Sequence, residues 1–154
     1  MAARVTGIVA VVLVGLALVP AGAHVFEMFA KLRLVPADYM IVQNIYRGWA
    51  LFGFVIFAAL AAIAAHAYMV RRARLRLALA CTAFACIVLS LAVFFTWVFP
   101  ANQATMNWTV MADDLDAVRR QWEYGHAASA GLTFAAFVAI VIAAAGGNCK
   151  ERQP

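Results

Sequence analysis

Two histidines and two glutamates form the pattern in this chain that most strongly suggests chemistry. His24 and Glu27 lie three residues apart, and Glu123 and His126 have the same spacing in the reverse order. On a helix, residues three apart share one face, so each pair presents an imidazole and a carboxylate together. Nitrogen and oxygen ligands of this kind suit a transition metal, and dimetal carboxylate proteins carry Glu-x-x-His on their helices. The pattern predicts a metal site made by His24, Glu27, Glu123 and His126.

Other interpretations of these four residues stay open. In a purely structural one, Glu27 pairs with Lys31 at four-residue spacing, and Glu123 pairs with Arg119 or Arg120. A haem held between the two histidines is another, although the chain lacks the C-x-x-C-H motif of covalent attachment. A protein without a bound cofactor is the third.

The elements that position these residues follow from an unusually apolar composition. Of the 154 residues, 67% are hydrophobic and 12% are charged, whereas a soluble domain carries about 25% charged residues. This composition excludes a soluble globular protein, a disordered chain and a disulfide scaffold. Four uncharged runs are each long enough to cross a hydrocarbon core about 30 Å thick as a helix: residues 5–23, 48–70, 77–99 and 127–146.

The expected fold is therefore all-α, a single integral membrane domain over residues 1–154. We expect a four-helix bundle of two helical hairpins, with the long loops 24–47 and 100–126 at one end. A 12-residue segment from Asp113 to Tyr124 is typical of an amphipathic helix that runs into the fourth span, capped by Asp113 or Asp114.

The two halves of the chain are also similar to each other. A shift of 78 positions superposes D-x₄-Q-x₂-Y-x₆-G on a second copy of itself, which predicts an internal duplication with parallel topology. The matched residues are Asp38, Gln43, Tyr46 and Gly53 with Asp116, Gln121, Tyr124 and Gly131.

Charge predicts the orientation in the membrane. The chain ends and the 71–76 link together carry seven basic residues and one acidic residue, whereas the loop side mixes five basic with six acidic residues. The positive-inside rule then makes this a multi-pass protein of the cell inner membrane with both termini in the cytoplasm. Because the basic residues lie at a membrane surface, no nucleic-acid partner is expected. The seven basic residues are Arg4, Arg71, Arg72, Arg74, Arg76, Lys150 and Arg152, and the acid is Glu151.

The first span has an alternative interpretation as a signal peptide. It begins with a basic residue, continues as an apolar core and closes on Ala21-Gly22-Ala23, which is typical of a cleavage site. Cleavage would leave His24 as a free N-terminus, and its amine and imidazole together would bind copper.

Polar and aromatic residues concentrate at the end of the spans that carries the long loops. Gln43 and Asn102 join the histidines and glutamates there, while His66 lies near the other end and is interpreted as an interfacial histidine. An aromatic belt explains most of the rings, but a belt is normally two-sided and this one is not. We therefore expect some rings to line a pocket for a flat apolar aromatic molecule: Trp122, Tyr46 and Trp97.

Two segments resemble the anthrone oxygenase-like family of small four-helix membrane proteins. They are Phe95-Thr96-Trp97-Val98-Phe99-Pro100-Ala101-Asn102 and Arg120-Gln121-Trp122-Glu123-Tyr124-Gly125-His126. The resemblance implies oxidation of anthrone-type polyketides to anthraquinones without a conventional organic cofactor. In that chemistry His126 removes the acidic C–H proton, and Asn102 or Gln43 donates a hydrogen bond to the enolate oxygen.

Two other classes of function compete with an oxidoreductase. The chain is equally well explained as a non-catalytic accessory or assembly subunit of a larger membrane complex, or as a homo-oligomer, with its polar residues holding its own loops. A transporter is the weaker alternative, because the central parts of the spans contain no acidic or basic residue that could couple ions. A metal- or haem-binding membrane protein without further activity is the last alternative.

Overall fold

The computed structural model describes residues 1–146, which are helical apart from short connections. Four helical segments are long and apolar enough to cross a membrane. The predicted all-helical class and the four long apolar helices are thereby confirmed for the described residues. The segments are Ala2–Lys31, Trp49–Met69, Arg74–Ala104 and Leu115–Ala145. The charges predicted for the C-terminal side, Lys150, Glu151 and Arg152, lie outside the described residues.

Six α-helices follow one another along the described chain. Two 3₁₀ turns, Gln43–Tyr46 and Trp49–Leu51, separate the second from the third, and one wide π turn, Phe94–Val98, joins the fourth to the fifth. The helices are α1 (Ala2–Lys31), α2 (Pro36–Val42), α3 (Phe52–Met69), α4 (Arg74–Val93), α5 (Phe99–Ala104) and α6 (Leu115–Ala145).

Helix α1 continues eight residues, about two turns, past the C-terminal end of the apolar run that predicts it. Its buried residues recur every three or four positions from Gly7 to Ala17 and again at His24, Met28 and Lys31. This spacing forms one continuous face, so the helix has packing partners beyond the end of the apolar run. Pro20 lies inside the helix and does not end it. The Ala21-Gly22-Ala23 segment is likewise helical and continuous with the C-terminal part of α1.

Pro100 explains the wide turn between α4 and α5. Proline has no N–H to donate, and its ring collides with the carbonyl four residues earlier in a regular helix. The helix avoids this collision with one wide π turn, in which the Phe99 N–H donates to the Phe94 carbonyl five residues earlier. The Gln121 amide donates to the Trp97 carbonyl at 2.8 Å and so ties α6 to this turn. The third span consequently continues to Ala104 instead of ending at Phe99.

Helix α6 begins twelve residues before the apolar run that predicts it. Asp114 caps its N-terminus by accepting a hydrogen bond from the Ala117 N–H at 2.9 Å, which confirms the predicted cap. Gly125 then lets α6 approach the wide turn closely, because a Cβ at this position would lie 2.8 Å from Val98 Cγ2.

The four long segments pack in the ring order α1, α3, α4, α6. Helix α1 contacts α3 and α6, and α4 contacts the same two helices. Fully buried alanines at the contacts allow close approach between helices: Ala10, Ala59, Ala80 and Ala136. We call the end with the segments between α1 and α3 and between α5 and α6 the loop end, and the opposite end the link end.

His66, near the link end of α3, is buried between helices. Its side chain is fully excluded from solvent, and Nδ1 lies 3.2 Å from the Thr6 hydroxyl of α1. Gly7 provides the space, since a Cβ there would lie 3.0 Å from His66 Cε1. The absence of a side chain at residue 7 is what admits the ring between helices.

Candidate functional site

A cavity of about 670 Å³ opens at the loop end and extends between the four long helical segments. Its volume lies within the range of small-molecule sites, which is about 300–1,000 Å³. The three residues predicted to be catalytic, His126, Asn102 and Gln43, all line it. Tyr46 and Trp122, which were predicted to line a pocket, also line the cavity. Trp49 and Trp108 line it as well, although the sequence did not single them out for a pocket.

His24 of α1 and His126 of α6 meet on the wall of this cavity. Their rings are stacked, with centroids 4.0 Å apart and planes 29° from parallel. Trp122 packs edge-on against both rings, with centroids 4.9 Å from His24 and 4.2 Å from His126. Two imidazoles this close repel each other if both are protonated. The pair therefore carries at most one positive charge.

This stacking disfavours the alternative of a haem between the two histidines. Axial ligands lie on opposite faces of a porphyrin, which requires the macrocycle to fit between the two rings. Rings in direct contact leave no such space.

The predicted four-residue metal set is not assembled either. The carboxylate of Glu123 is taken by Lys31, whose Nζ lies 2.9 Å from Oε1, and by the Tyr39 hydroxyl, which donates to the same oxygen at 2.9 Å. Glu27 accepts a hydrogen bond from the Tyr46 hydroxyl. Among residues 1–146, no group of three or more His, Cys, Asp or Glu side chains is arranged to hold a metal ion.

The structural alternative for the carboxylates is correct only in part. Glu27 Oε2 lies 4.0 Å from Lys31 Nζ, as the four-residue spacing predicts. Glu123 pairs with neither Arg119 nor Arg120, because it is fully buried and faces α1. Arg119 instead pairs with Asp116 at 2.9 Å.

Lys31, in a polar cluster beside the cavity, is one residue that the sequence pattern did not reveal. It is 3% exposed, and its ammonium lies 4.5 Å from the ring centroids of both Tyr46 and Trp122. It also donates to the Tyr46 hydroxyl at 2.7 Å. A weak signal was present, since Lys31 is seven residues from His24 and therefore on the same helix face.

Tyr39 and Tyr46 complete this polar cluster beside the cavity. Burial, reinforced by the Glu123 carboxylate, raises the pKa of Tyr39 above its ordinary value. Burial and the hydrogen bond to Glu27 do the same to the pKa of Tyr46. Both phenols therefore stay protonated near neutral pH and act as donors to the carboxylates. No periodicity identifies Tyr39, because it lies in the short helix α2 outside the spans.

Asn102 is held in one orientation by two indoles. Its Oδ1 accepts hydrogen bonds from Trp108 Nε1 and Trp122 Nε1, each at 2.9 Å. An indole N–H can only donate, so the atom facing both rings must be the amide oxygen. The amide nitrogen, with two hydrogens to donate, is thereby left for other partners.

The segment after α5 adopts a left-handed backbone that non-glycine residues rarely take. Met106, Asn107 and Trp108 have φ values of 47°, 57° and 65°, a conformation that costs about 1–2 kcal/mol per residue. Hydrogen bonds oppose this cost, with the Asn107 N–H donating to the Asn102 carbonyl at 2.7 Å and the Trp108 N–H donating to Thr105 Oγ1 at 3.1 Å. All three residues line the cavity, where such strain often accompanies a ligand site.

Two residues that line the cavity contain buried polar atoms without a protein partner. Gln43 is 3% exposed, and neither its amide nitrogen nor its amide oxygen is hydrogen-bonded within the described residues. The same holds for His24 Nδ1. Buried polar groups are nearly always hydrogen-bonded, so these unpaired atoms carry a desolvation cost at the edge of the cavity.

Trp97 does not line the cavity, and its assignment to the pocket is wrong. Its side chain is 52% exposed on the outside of the helices. The wide turn explains this orientation. Within it, Phe94 lines the cavity and Val98 is fully buried, so Trp97 is directed outward.

Comparison with known proteins adds no assignment to this geometry. No protein-family model, no curated protein and no solved structure matches the chain. The site therefore has to be interpreted from its own residues.

Proposed function

We propose that this chain is a membrane oxidoreductase of the anthrone oxygenase type, which oxidises a flat aromatic ketone in the loop-end cavity. The observation that carries the proposal is the stacked His24–His126 pair on a cavity walled by aromatic rings. Neutral imidazole is a competent base near neutral pH. The neighbouring carboxylates do not compete with the imidazoles as the base. Glu123 is paired with Lys31, and Glu27 accepts a hydrogen bond from Tyr46.

The chemistry begins with loss of a proton from the methylene carbon between two aryl rings. His126 accepts this proton, and the adjacent ring of His24 lies close enough to influence its basicity. The developing enolate oxygen is bound by the amide nitrogen of Asn102, whose orientation the two indoles hold. Donors positioned before the reaction in this way stabilise the charge that develops during it.

Molecular oxygen is the oxidant in the second step. The carbanion adds to O₂ and takes up a proton to form a hydroperoxide, which loses water to leave the second carbonyl of the quinone. The methylene carbon is oxidised, one oxygen atom enters the product and the other leaves as water. This sequence requires no bound metal or organic cofactor.

The cavity is proposed to sit in a four-helix bundle of duplicated hairpins, in the cell inner membrane with both termini cytoplasmic. The ring order α1, α3, α4, α6 supports a bundle, and the positive-inside rule supports this orientation. Duplication is supported by the pairing of His24 with Asn102 under the same shift of 78, because both residues line the cavity. Ala17 and Pro20 also line it, which favours a first span that stays attached.

The direct test is quinone formation from anthrone by purified protein in air. Wild type should produce anthraquinone, and His126→Gln should lower the rate by about 10²–10⁴-fold, the usual contribution of a general base. Trp122→Phe should impair turnover, whereas the matched variant Trp97→Phe, outside the cavity, should leave it unchanged. Wild-type protein that does not exceed the uncatalysed rate would refute the proposal.

A second candidate function, an accessory subunit of a larger membrane complex, is favoured by the surface of the loop end. Apolar side chains outside the spans are exposed there, at 56–68% for Val35, Ile41, Ile45 and Met106. Such side chains suit contact with another protein or with the membrane surface. Native mass measurement in nanodiscs distinguishes a monomer from a homo-oligomer, and chemical cross-linking in the native membrane detects a different partner.

A further inference from the structure

Exposed arginines give the link end a strong positive charge. Arg71, Arg72 and Arg74 lie close together at the turn between α3 and α4, and all three side chains are exposed. Arg4, in the first turn of α1, is exposed at the same end. Every aspartate and glutamate of the described chain lies instead at the loop end, so no described carboxylate compensates these charges.

Neither helix stability nor internal pairing accounts for these arginines. Arg74 is the first residue of α4, where the positive end of the helix dipole disfavours a cation. Within the described residues, Arg72 and Arg74 form no side-chain hydrogen bond or ion pair. The positive-inside rule explains why arginines occur on this side, but it describes insertion and leaves the charges uncompensated in the folded protein. Their guanidinium groups are therefore available to an anion from outside the chain.

Apolar groups beside the arginines indicate that this anion belongs to a lipid. Leu75 directly follows Arg74 and is 72% exposed, and Tyr68 is 60% exposed. Arg71 Cζ lies 4.1 Å from the centroid of the Tyr68 ring, and Arg71 Nη1 donates to the Tyr68 carbonyl at 2.8 Å, which holds this cation at the end of α3. A soluble phosphate would leave the leucine side chain and the phenol ring in water. A phospholipid covers them with its acyl chains while its phosphate faces the arginines.

We propose that the link end binds an anionic phospholipid, with Arg71, Arg72 and Arg74 around its phosphate and with Tyr68 and Leu75 against its acyl chains. A guanidinium group presents its N–H donors in a fork that matches two phosphate oxygens. In the proposed orientation the link end faces the cytoplasmic leaflet, which carries the anionic lipids, and each basic residue there contributes about fivefold to binding. The site is separate from the loop-end cavity and does not depend on the function proposed for that cavity.

Competition between two phospholipids with identical acyl chains tests the headgroup. Full-length protein purified in detergent is mixed with equal concentrations of dioleoyl-phosphatidylglycerol and dioleoyl-phosphatidylcholine. Native mass spectrometry then gives the ratio of the two species that carry one lipid. Wild type should prefer phosphatidylglycerol by about 5–25-fold, and the preference should fall as ionic strength rises, because salt screens exposed charges.

Matched double variants locate the preference on the protein. Arg72→Gln combined with Arg74→Gln should remove most of it, because two exposed cations are lost from the link end. Arg33→Gln combined with Arg120→Gln is the control, since it removes two exposed arginines from the loop end, and it should keep the preference. Should the first double variant not insert into the membrane, each single variant, Arg72→Gln or Arg74→Gln, should still lower the preference by about two- to fivefold.

The outcomes separate a lipid site from its alternatives. Equal binding of the two lipids to wild type overturns the proposal. An equal loss of preference in the two double variants also overturns it, because the preference would then follow net charge alone. Glycerol 3-phosphate, a soluble headgroup analogue, should not displace phosphatidylglycerol when present at the same concentration. Displacement would assign the arginines to a soluble phosphate compound and overturn the lipid site.

Discussion

Replacement of Lys31 by methionine should destabilise the protein strongly, even though methionine suits an apolar surrounding. Lys31 lies 2.9 Å from the Glu123 carboxylate, which is fully buried. Without the ammonium, that carboxylate keeps Tyr39 as its hydrogen-bond donor but has no opposite charge in contact. Removal of one partner from a buried ion pair costs about 3–5 kcal/mol.

At about 2–4 °C per kcal/mol for a chain of this size, Lys31→Met should lower the melting temperature by about 6–20 °C. Thermal unfolding in detergent, followed by circular dichroism, measures the change. The double variant Lys31→Met with Glu123→Gln should recover at least half of it, since no charge is then left buried. Arg33→Met removes a charge from an exposed position on the same end and should cost less than about 1 kcal/mol. If Lys31→Met and Arg33→Met melt at the same temperature, the buried ion pair does not have the importance assigned to it.

Three further predictions concern packing, pH and the amide donor. Gly125→Ala should cost about 1–3 kcal/mol in thermal unfolding, because the new Cβ would lie 2.8 Å from a Val98 methyl; Gly131→Ala, where the space is open, should not, and equal effects would contradict the close approach. Above about pH 10 the melting temperature should fall, since unfolded tyrosines ionise there while Tyr39, whose pKa is raised, stays protonated; the folded state then binds more protons, so stability is lost as pH rises, and Tyr39→Phe should show a shallower fall. Asn102→Asp should lower kcat for anthrone oxidation by about 10²–10³-fold with intact folding, because an oxygen still faces both indoles; unchanged kcat would remove Asn102 from the chemistry.

The number of helices able to cross a membrane follows from the sequence because this ability depends on one property, continuous apolarity over about 20 residues. Their ends do not follow from it. Helix α1 extends to Lys31 and α6 starts at Leu115 because their polar residues are satisfied by each other across the loop end. This pairing is tertiary, and no local pattern encodes it.

The sequence predicts only those features of the candidate site that depend on residue type and on the helix face a residue occupies. The placement of His24 near His126 followed from their positions at the same end of two spans. The partner of Glu123 did not, because Lys31 has a nearer carboxylate at four-residue spacing in Glu27. The exposure of Trp97 depended on the turn that Pro100 widens, which shifts the helical register by one residue. No sequence pattern singled out Ser90, Ser129 and Thr133, which line the cavity.

The most direct test of the central claim isolates proton removal from oxidation. Under nitrogen, in deuterated buffer, exchange of the anthrone methylene hydrogens is followed by NMR with purified protein in nanodiscs. The base mechanism predicts that wild type accelerates this exchange and that His126→Gln slows it by about 10²–10⁴-fold. An exchange rate with wild type no higher than in protein-free nanodiscs, or equal rates for wild type and His126→Gln, would contradict the assignment of the histidine pair as the catalytic base.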